Sequence, residues 1–332
     1  MIHSKILYFT APGSIELRAE PLPALSPDQV FVESICSAIS PGSELLIYRG
    51  QFPRDLPVDE TITALSGEFV YPLRYGYATV GRVIEAGVAV DPGWVNRLVF
   101  AFQPHASHFH ARPEELHPLP ADFDAEEAAF LPNMETAVNF LMDGKPLIGE
   151  RVVVLGLGVV GLLTSALLAR FPLASLIAVD PYPRRQAAAL EVGVHASLPP
   201  EELDSALGVG KADLVYELSG DPAAINQALD VCAFSGRVVI GSWYGQKPAA
   251  LNLGGRYHRA RIRLIGSQVS TLAPEYSGRW TKARRLDVAW EMIAAVKPAR
   301  FITHRFPIDQ AAEAYRLLDR APEQAIQVML TY

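Results

Sequence analysis

The chain has 332 residues, half of them hydrophobic and a fifth charged, an ordinary globular composition that excludes a disordered chain. At roughly 150 residues per domain this length predicts two domains. The balance of 29 basic against 36 acidic residues, net −7, excludes a general nucleic-acid binder, whose phosphate contacts need a basic surface.

Residues 1 to about 125 read as strand-rich. Met1 to Thr10 carries one lysine and no apolar core, so no signal peptide is expected. Val30 to Cys36 is β-rich, Ala78 to Val90 reads as a strand pair with glycine punctuation, and prolines at 21, 23, 27, 41, 53, 57 and 72 break up any long helix. The first convincing helix starts after Asp124, a plausible N-cap followed by acidic residues. From Arg151 apolar strands (Val152 to Leu155, Leu176 to Val179, Asp213 to Glu217, Arg237 to Ile240, Ile262 to Ile265) alternate with helical patterns (Val160 to Arg170, Pro183 to Glu191, Ala223 to Ala233). Such alternation predicts a parallel, doubly wound sheet. Arg256 to Arg263 holds four arginines and His258 and reads as a solvated surface segment. After about Gln268 the alternation stops; Leu286 to Val296 and Asp309 to Leu318 look like amphipathic helices and Gln327 to Thr331 like a closing strand. No apolar run reaches the roughly 18–20 residues of a membrane span. The two cysteines, Cys36 in an apolar strand and Cys232 in a helical pattern, read as core residues and fit a reducing cytoplasm.

The sharpest motif is Val152 to Gly161, a buried strand running into G-x-G-x-x-G and then a helix. Gly156 permits the tight turn, Gly158 lets the backbone approach a pyrophosphate, and Gly161 allows close helix–strand packing. Leu157, Val159 and Val160 complete the turn, and the free N–H groups of the helix face the phosphates. Asp180 ends the second strand, 24 positions after Gly156 and near the expected spacing of about 20. A carboxylate there accepts from the adenosine ribose hydroxyls and repels the 2′-phosphate of NADP, which favours NAD(H) over NADP(H). Arg184 and Arg185 follow closely and are able to pair a phosphate, which keeps NADP open. Ser219, Gly241, Ser242 and Trp243 join the cofactor-side set. They follow strand ends where ligands collect in such sheets, with Trp243 expected near the nicotinamide.

The whole chain resembles the medium-chain dehydrogenase/reductase family, which includes the zinc alcohol dehydrogenases. The likeness runs through Ser40 to Glu44, Tyr75 to Gly81, the glycine motif, Asp213 to Gly220, Gly236 to Gly241 and Ile302 to Pro307. It implies an α/β chain with a GroES-like, β-rich catalytic domain (1–124 and 269–332) interrupted by a Rossmann domain (125–268). It also implies a homodimer. A looser likeness joins Pro41 to Glu44 and Pro104 to His108 to the branch containing bacteriochlorophyllide a dehydrogenase.

Against that family pattern the metal ligands are missing. Pro41 stands where a zinc-ligating Cys would precede Ser43-Glu44, Tyr77-Ala78 replaces His-Glu after Gly76, and the third position falls near Pro132-Asn133. Zinc needs thiolate, imidazole or carboxylate donors, so no zinc is expected. His105, His108 and His110 are the obvious alternative cluster; only His108 and His110 share a strand face, and imidazoles lining a cleft or a strand surface are the favoured reading. Glu135 is an alternative third ligand without the other two.

Without zinc a hydrogen-bond donor must serve the substrate oxygen. The resemblance matches Ser43 to the proton-relay hydroxyl and Thr136 to a nicotinamide contact, and it turns the phenol of Tyr77 into the same pocket; His105 is a possible acid/base. The plain alternatives are that Tyr77 fills the volume of the metal, Ser43 caps a helix starting at Glu44, and His105 is structural. Glu44 is expected in a supporting ion pair. Three functions stay open: a zinc-independent alcohol/ketone oxidoreductase, favoured by Ser43-Glu44; a quinone- or enoyl-type C=C reductase; and a dinucleotide binder without turnover. The aromatic residues Phe52, Phe69 and Tyr71 of the insert Gln51 to Tyr71 suggest a small-molecule substrate that is large or apolar, with packing as the alternative.

Overall fold

A computed structural model describes residues 3–208 and 210–332. The chain forms two compact units, one of residues 1–132 and 297–332, the other of residues 133–296. The first begins with the hairpin of β1 (His3–Ala11) and β2 (Ser14–Pro21), then β3 (Val30–Ile39), α1 (Pro41–Arg49), β4 (Thr79–Ala86), β5 (Leu98–Ala101), β6 (His108–Ala111), β7 (Leu116–Pro118) and α2 (Ala125–Ala128). After α3 (Leu131–Gly144) the second unit holds β8 (Arg151–Leu155), α4 (Val159–Leu168), β9 (Ser175–Val179), α5 (Pro183–Glu191), β10 (Ala196–Leu198), α6 (Leu203–Leu207), β11 (Ala212–Glu217), α7 (Ala224–Val231), β12 (Cys232–Ile240), β13 (Arg263–Gly266) and α8 (Lys282–Val296). The chain returns to the first unit with β14 (Ile302–Pro307), α9 (Ala311–Arg320) and β15 (Gln327–Thr331).

The sheet of the first unit runs β14-β15-β3-β4-β5-β7, with β6 also on β3. β3 is central, which is why Val30, Phe31, Val32, Cys36, Ala38 and Ile39 are all buried rather than strictly alternating. The expected strand pair at Ala78 to Val90 is a single strand, β4, whose partners are β3 and β5; Gly87 breaks it by approaching the carbonyls of Ser26 and Pro27 too closely for any Cβ. The helix α1 precedes the first one expected. Ser40 occupies its N-cap position, Pro41 its first turn and Gly50, at φ +68, its C-terminal cap. Proline at the start and glycine past the end suit a helix rather than break it. Ser43 therefore lies inside the first turn and is not the cap of a helix starting at Glu44.

The second unit carries a six-stranded parallel sheet in the order β10-β9-β8-β11-β12-β13. Counted from β8 this is 3-2-1-4-5-6, the order of dinucleotide-binding sheets. Val152, Val153 and Val154 are fully buried in its middle. Cys232 opens strand β12 instead of ending a helix, because α7 stops at Val231. The unit also runs to Val296, past the boundary expected at Gln268. Arg285 on α8 is buried and bonds Glu135 and Asn139 of α3, which fastens this helix to the parallel-sheet unit.

Candidate functional site

The glycine turn sits at the C-terminal end of β8. Gly156 has φ +92 and donates its N–H to Val179 O at 2.8 Å. A Cβ on it would lie 2.4 Å from Ser219 Cα, and one on Gly161 would lie 1.9 Å from Gly156 O. These two glycines are required by protein packing alone. Gly158 is different: a Cβ there meets nothing within 4 Å. It stands at the N-terminus of α4 with no side-chain cap, so the first N–H groups of the helix, from Val159 onward, have no intrahelical partner. Open space beside uncapped amides fits the pyrophosphate of a dinucleotide.

Asp180 ends β9 almost fully buried. Its Oδ2 accepts the Leu157 N–H at 2.8 Å and its Oδ1 the Tyr182 N–H at 3.0 Å. Arg185 Nη1 lies 3.6 Å from the same carboxylate, and its guanidinium stacks over Tyr182. The acid thus couples the glycine turn to the start of α5. The side chains of Val159 and Val160 take no polar part; Val159 is buried, and the Val160 carbonyl accepts the Thr164 hydroxyl.

Strand β11 ends in Glu217, a fully buried carboxylate that the motif reading passed over. It accepts the N–H of Ser219 at 2.8 Å, the Ser219 hydroxyl, and the Tyr244 phenol. Burial first, then the Glu217 charge, pushes the Tyr244 phenol well up, so it stays a donor. Ser242 Oγ accepts the Gly220 N–H at 2.9 Å, and Lys247 donates to Gly220 O at 2.8 Å. Gly241 packs on Phe140 so closely that a Cβ would lie 2.2 Å from the ring. The loops after β11 and β12 are therefore held together, with Trp243 37% exposed at their surface. Thr136 is half-buried on α3. The signal for Glu217 was its place at the strand end of Asp213 to Gly220, an acid where ligand-side loops begin.

In the first unit Ser43 and Tyr77 meet: Oγ and the phenol oxygen are 3.1 Å apart. Burial raises the Tyr77 phenol above its ordinary value, and hydrogen bonding to hydroxyls, Ser43 included, partly offsets this. Behind them lies Glu44, completely buried. Its Oε1 accepts the Ser40 N–H at 2.7 Å, and its Oε2 is 2.9 Å from His105 Nε2 and accepts the Tyr315 hydroxyl. The other ring nitrogen of His105, Nδ1, is 2.7 Å from Ser37 Oγ, which meets the Tyr332 hydroxyl at 2.8 Å. His105 is fully buried, so it does not line an open cleft. Its ring fills the space beside Gly76, where φ is +106 and a Cβ would lie 2.6 Å from Nε2. His108 and His110 do share a face of β6, both against the ring of Phe31. Phe52 and Phe69 stack at 4.9 Å in the core, with Tyr71 edge-on to Phe52. These rings are explained by packing, which removes the support they lent to a large or apolar substrate.

The donors near Pro41 do not suit zinc. Proline offers no ligand atom, neutral hydroxyls are poor ones, and Glu44 and His105 already bind each other. Glu135 is bound to Arg285. Among the described residues no three His, Cys, Asp or Glu side chains come together as a metal-holding group.

Comparison with known proteins adds to this geometry. Residues 159–287 match the family model described as zinc-binding dehydrogenase, a stretch that lies wholly in the second unit and excludes Pro41, Ser43 and Tyr77. The chain is 31% identical over 221 residues to the zinc-type alcohol dehydrogenase-like protein YphC of Escherichia coli K12, covering 64% of this chain and 60% of that protein's length. It is 25% identical to the D-guloside 3-dehydrogenase of Escherichia coli K12 over 77% of each chain. It is 23% identical to the D-xylulose reductase of Saccharomyces cerevisiae over 96% of this chain and 95% of that one. Among solved structures it shares the fold of the alcohol dehydrogenase RspB of Escherichia coli CFT073 complexed with NADH (TM-score 0.80, 17% identity, all of both chains). It also shares that of a zinc-binding dehydrogenase of Sinorhizobium meliloti bound to NADP (TM-score 0.79, 20% identity, all of both chains). These likenesses agree with a GroES-like unit joined to a Rossmann unit. In fold and in its glycine turn the chain is similar to zinc-type alcohol dehydrogenase-like proteins of the medium-chain dehydrogenase type.

Proposed function

We propose that this protein is a zinc-independent, nicotinamide-dependent oxidoreductase acting on an alcohol/ketone pair. The observation that carries the cofactor half is the open space at Gly158, beside the uncapped start of α4 in a sheet of 3-2-1-4-5-6 order. The relatives include a D-guloside 3-dehydrogenase and a D-xylulose reductase, which makes a polyol or its ketone the first substrate class to try.

A bound dinucleotide supplies or accepts the hydride. The residues of the chain do the rest. Gly158 and the N-terminus of α4 would hold the pyrophosphate, and the negative charge of Asp180, tempered by Arg185, would disfavour a 2′-phosphate and so favour NAD(H) over NADP(H). On the substrate side Tyr77 donates the proton that the oxygen needs, and the phenolate left behind takes a proton from solvent relayed through the half-buried Ser43 hydroxyl, 3.1 Å away. The raised phenol keeps Tyr77 protonated through the neutral range. His105 acts at one remove: with Tyr315 and the Ser40 N–H it fixes Glu44, and so the first turn of α1 on which Ser43 stands.

The test titrates the protein with NADH and NADPH by nicotinamide fluorescence, then offers ketones, polyols and matched enones. Binding with ketone or polyol turnover supports the proposal. Turnover of enones alone would assign C=C reduction, and tight binding without any turnover would assign a non-catalytic dinucleotide binder.

A further inference from the structure

Among the described residues the second unit contains a buried cation, Arg285, that the chemistry above does not use. Arg285 on α8 is fully buried. All five of its N–H donors have acceptors. Nε and Nη2 donate to Glu135 Oε1 at 3.0 and 2.9 Å; Nη1 donates to Asn139 Oδ1 and, at 3.2 Å, to Thr271 O; Nη2 also donates to Val269 O. Two of the acceptors stand on α3, beside Thr136. Two are backbone carbonyls of the segment that leaves β13. That segment starts at the ligand end of the sheet, since the Ser267 N–H bonds Ile240 O, one residue before the Gly241-Ser242-Trp243 turn. Asn139 reinforces the tie by donating to Ser267 Oγ at 3.0 Å and to Asp143 Oδ2 at 3.0 Å.

The position of these elements in the sheet decides what is being held. In a sheet of this order the strands β8 to β10 form one mononucleotide half and β11 to β13 the other. Asp180 belongs to the first, the adenine side. The loops after β12 and β13 belong to the second, the nicotinamide side. A backbone segment whose carbonyls are both taken by one rigid guanidinium has little freedom left, because each carbonyl fixes the peptide plane that follows it. A lysine keeps the charge but presents a single point of attachment and cannot span α3 and two carbonyls.

We infer that Arg285 is a positioning residue for the nicotinamide half of the dinucleotide site, setting the loop 267–271 and the Thr136 face of α3 in one frame. This rests on the dinucleotide reading of the second unit.

The experiment compares wild type with Arg285→Lys and with the charge-balanced double variant Glu135→Gln/Arg285→Met. Each is titrated with NADH and, separately, with ADP-ribose, which lacks only the nicotinamide ring. Circular dichroism and melting temperature establish folding. The inference predicts that Arg285→Lys weakens NADH about tenfold, with loss of the nicotinamide fluorescence change, while ADP-ribose binds within about twofold of wild type. Equal weakening of both ligands, or of neither, overturns it. If Arg285→Lys fails to fold, the double variant carries the same comparison. Failure of wild type to bind either ligand would instead sink the underlying dinucleotide reading.

Discussion

Gly158 and Gly161 lie three residues apart in one motif, yet the geometry separates their roles, and replacing each by alanine should separate binding from stability. Gly158 has φ −62 and ψ −179, extended backbone that any residue adopts, and an added Cβ finds open space. Alanine there loses some N-cap preference and gains by restricting the unfolded chain, so the net stability change is within about 1 kcal/mol. The same methyl occupies the space into which the pyrophosphate must come, so Gly158→Ala should weaken NADH at least about tenfold, or about 1.4 kcal/mol. Gly161→Ala puts a methyl 1.9 Å from Gly156 O, a backbone atom with no rotamer to escape into. Helix α4 must then withdraw from β8, at about 1–3 kcal/mol or more. At roughly 2–4 °C per kcal/mol for a unit of this size the melting temperature should fall by several degrees. Thermal denaturation followed by circular dichroism, paired with nicotinamide fluorescence titration, reads both quantities. A Gly158→Ala protein that binds NADH as tightly as wild type would refute the assignment of that space to the cofactor.

Three further outcomes follow from the same geometry. Tyr77→Phe and Ser43→Ala should each lower kcat about 10²-fold or more while leaving the NADH Kd unchanged; because burial raises the phenol, reduction by wild type should stay flat across neutral pH and decline only in strongly alkaline solution. A pH profile that breaks near neutrality would point to a different donor. Asp180→Asn removes a charge that repels a 2′-phosphate, so the ratio of NADPH to NADH affinity should rise about tenfold, and an unchanged ratio in paired titrations speaks against its selective role. Burial pushes the Cys36 thiol up to about 12 and the Cys232 thiol to about 11, so few thiolates exist at pH 8. Mass spectrometry after iodoacetamide should find both cysteines unmodified in the native protein and modified after unfolding.

Much of this is legible in the sequence. Strand–helix alternation located the parallel sheet, and α5 and β15 begin and end where their patterns do, at Pro183–Glu191 and Gln327–Thr331. Apolar periodicity and terminal residues are local signals, and such elements need nothing else. What stayed hidden depends on partners distant in sequence. Whether His105 is an acid/base or structural is open in the sequence, because Glu44 and Ser37, which close around its ring, are distant in the chain. Arg285 precedes the apolar stripe expected from Leu286, and nothing local marks it as buried; only Glu135, Asn139 and two loop carbonyls do. The helix α1 was obscured because its Pro41 was counted as a breaker rather than as a first-turn residue. Rings in the segment after α1 suggested a ligand for a similar reason: an aromatic cluster in sequence does not say which face it presents.

The central claim is hydride chemistry on this scaffold with hydroxyl groups in place of a metal. It is tested most directly by following deuterium from 4-deuterated NADH into a ketone with chelator-treated protein whose metal content has been measured. The account predicts deuterium at the carbinol carbon at an undiminished rate, with zinc far below one ion per chain. Transfer that vanishes with the chelator and returns only with stoichiometric zinc would contradict it.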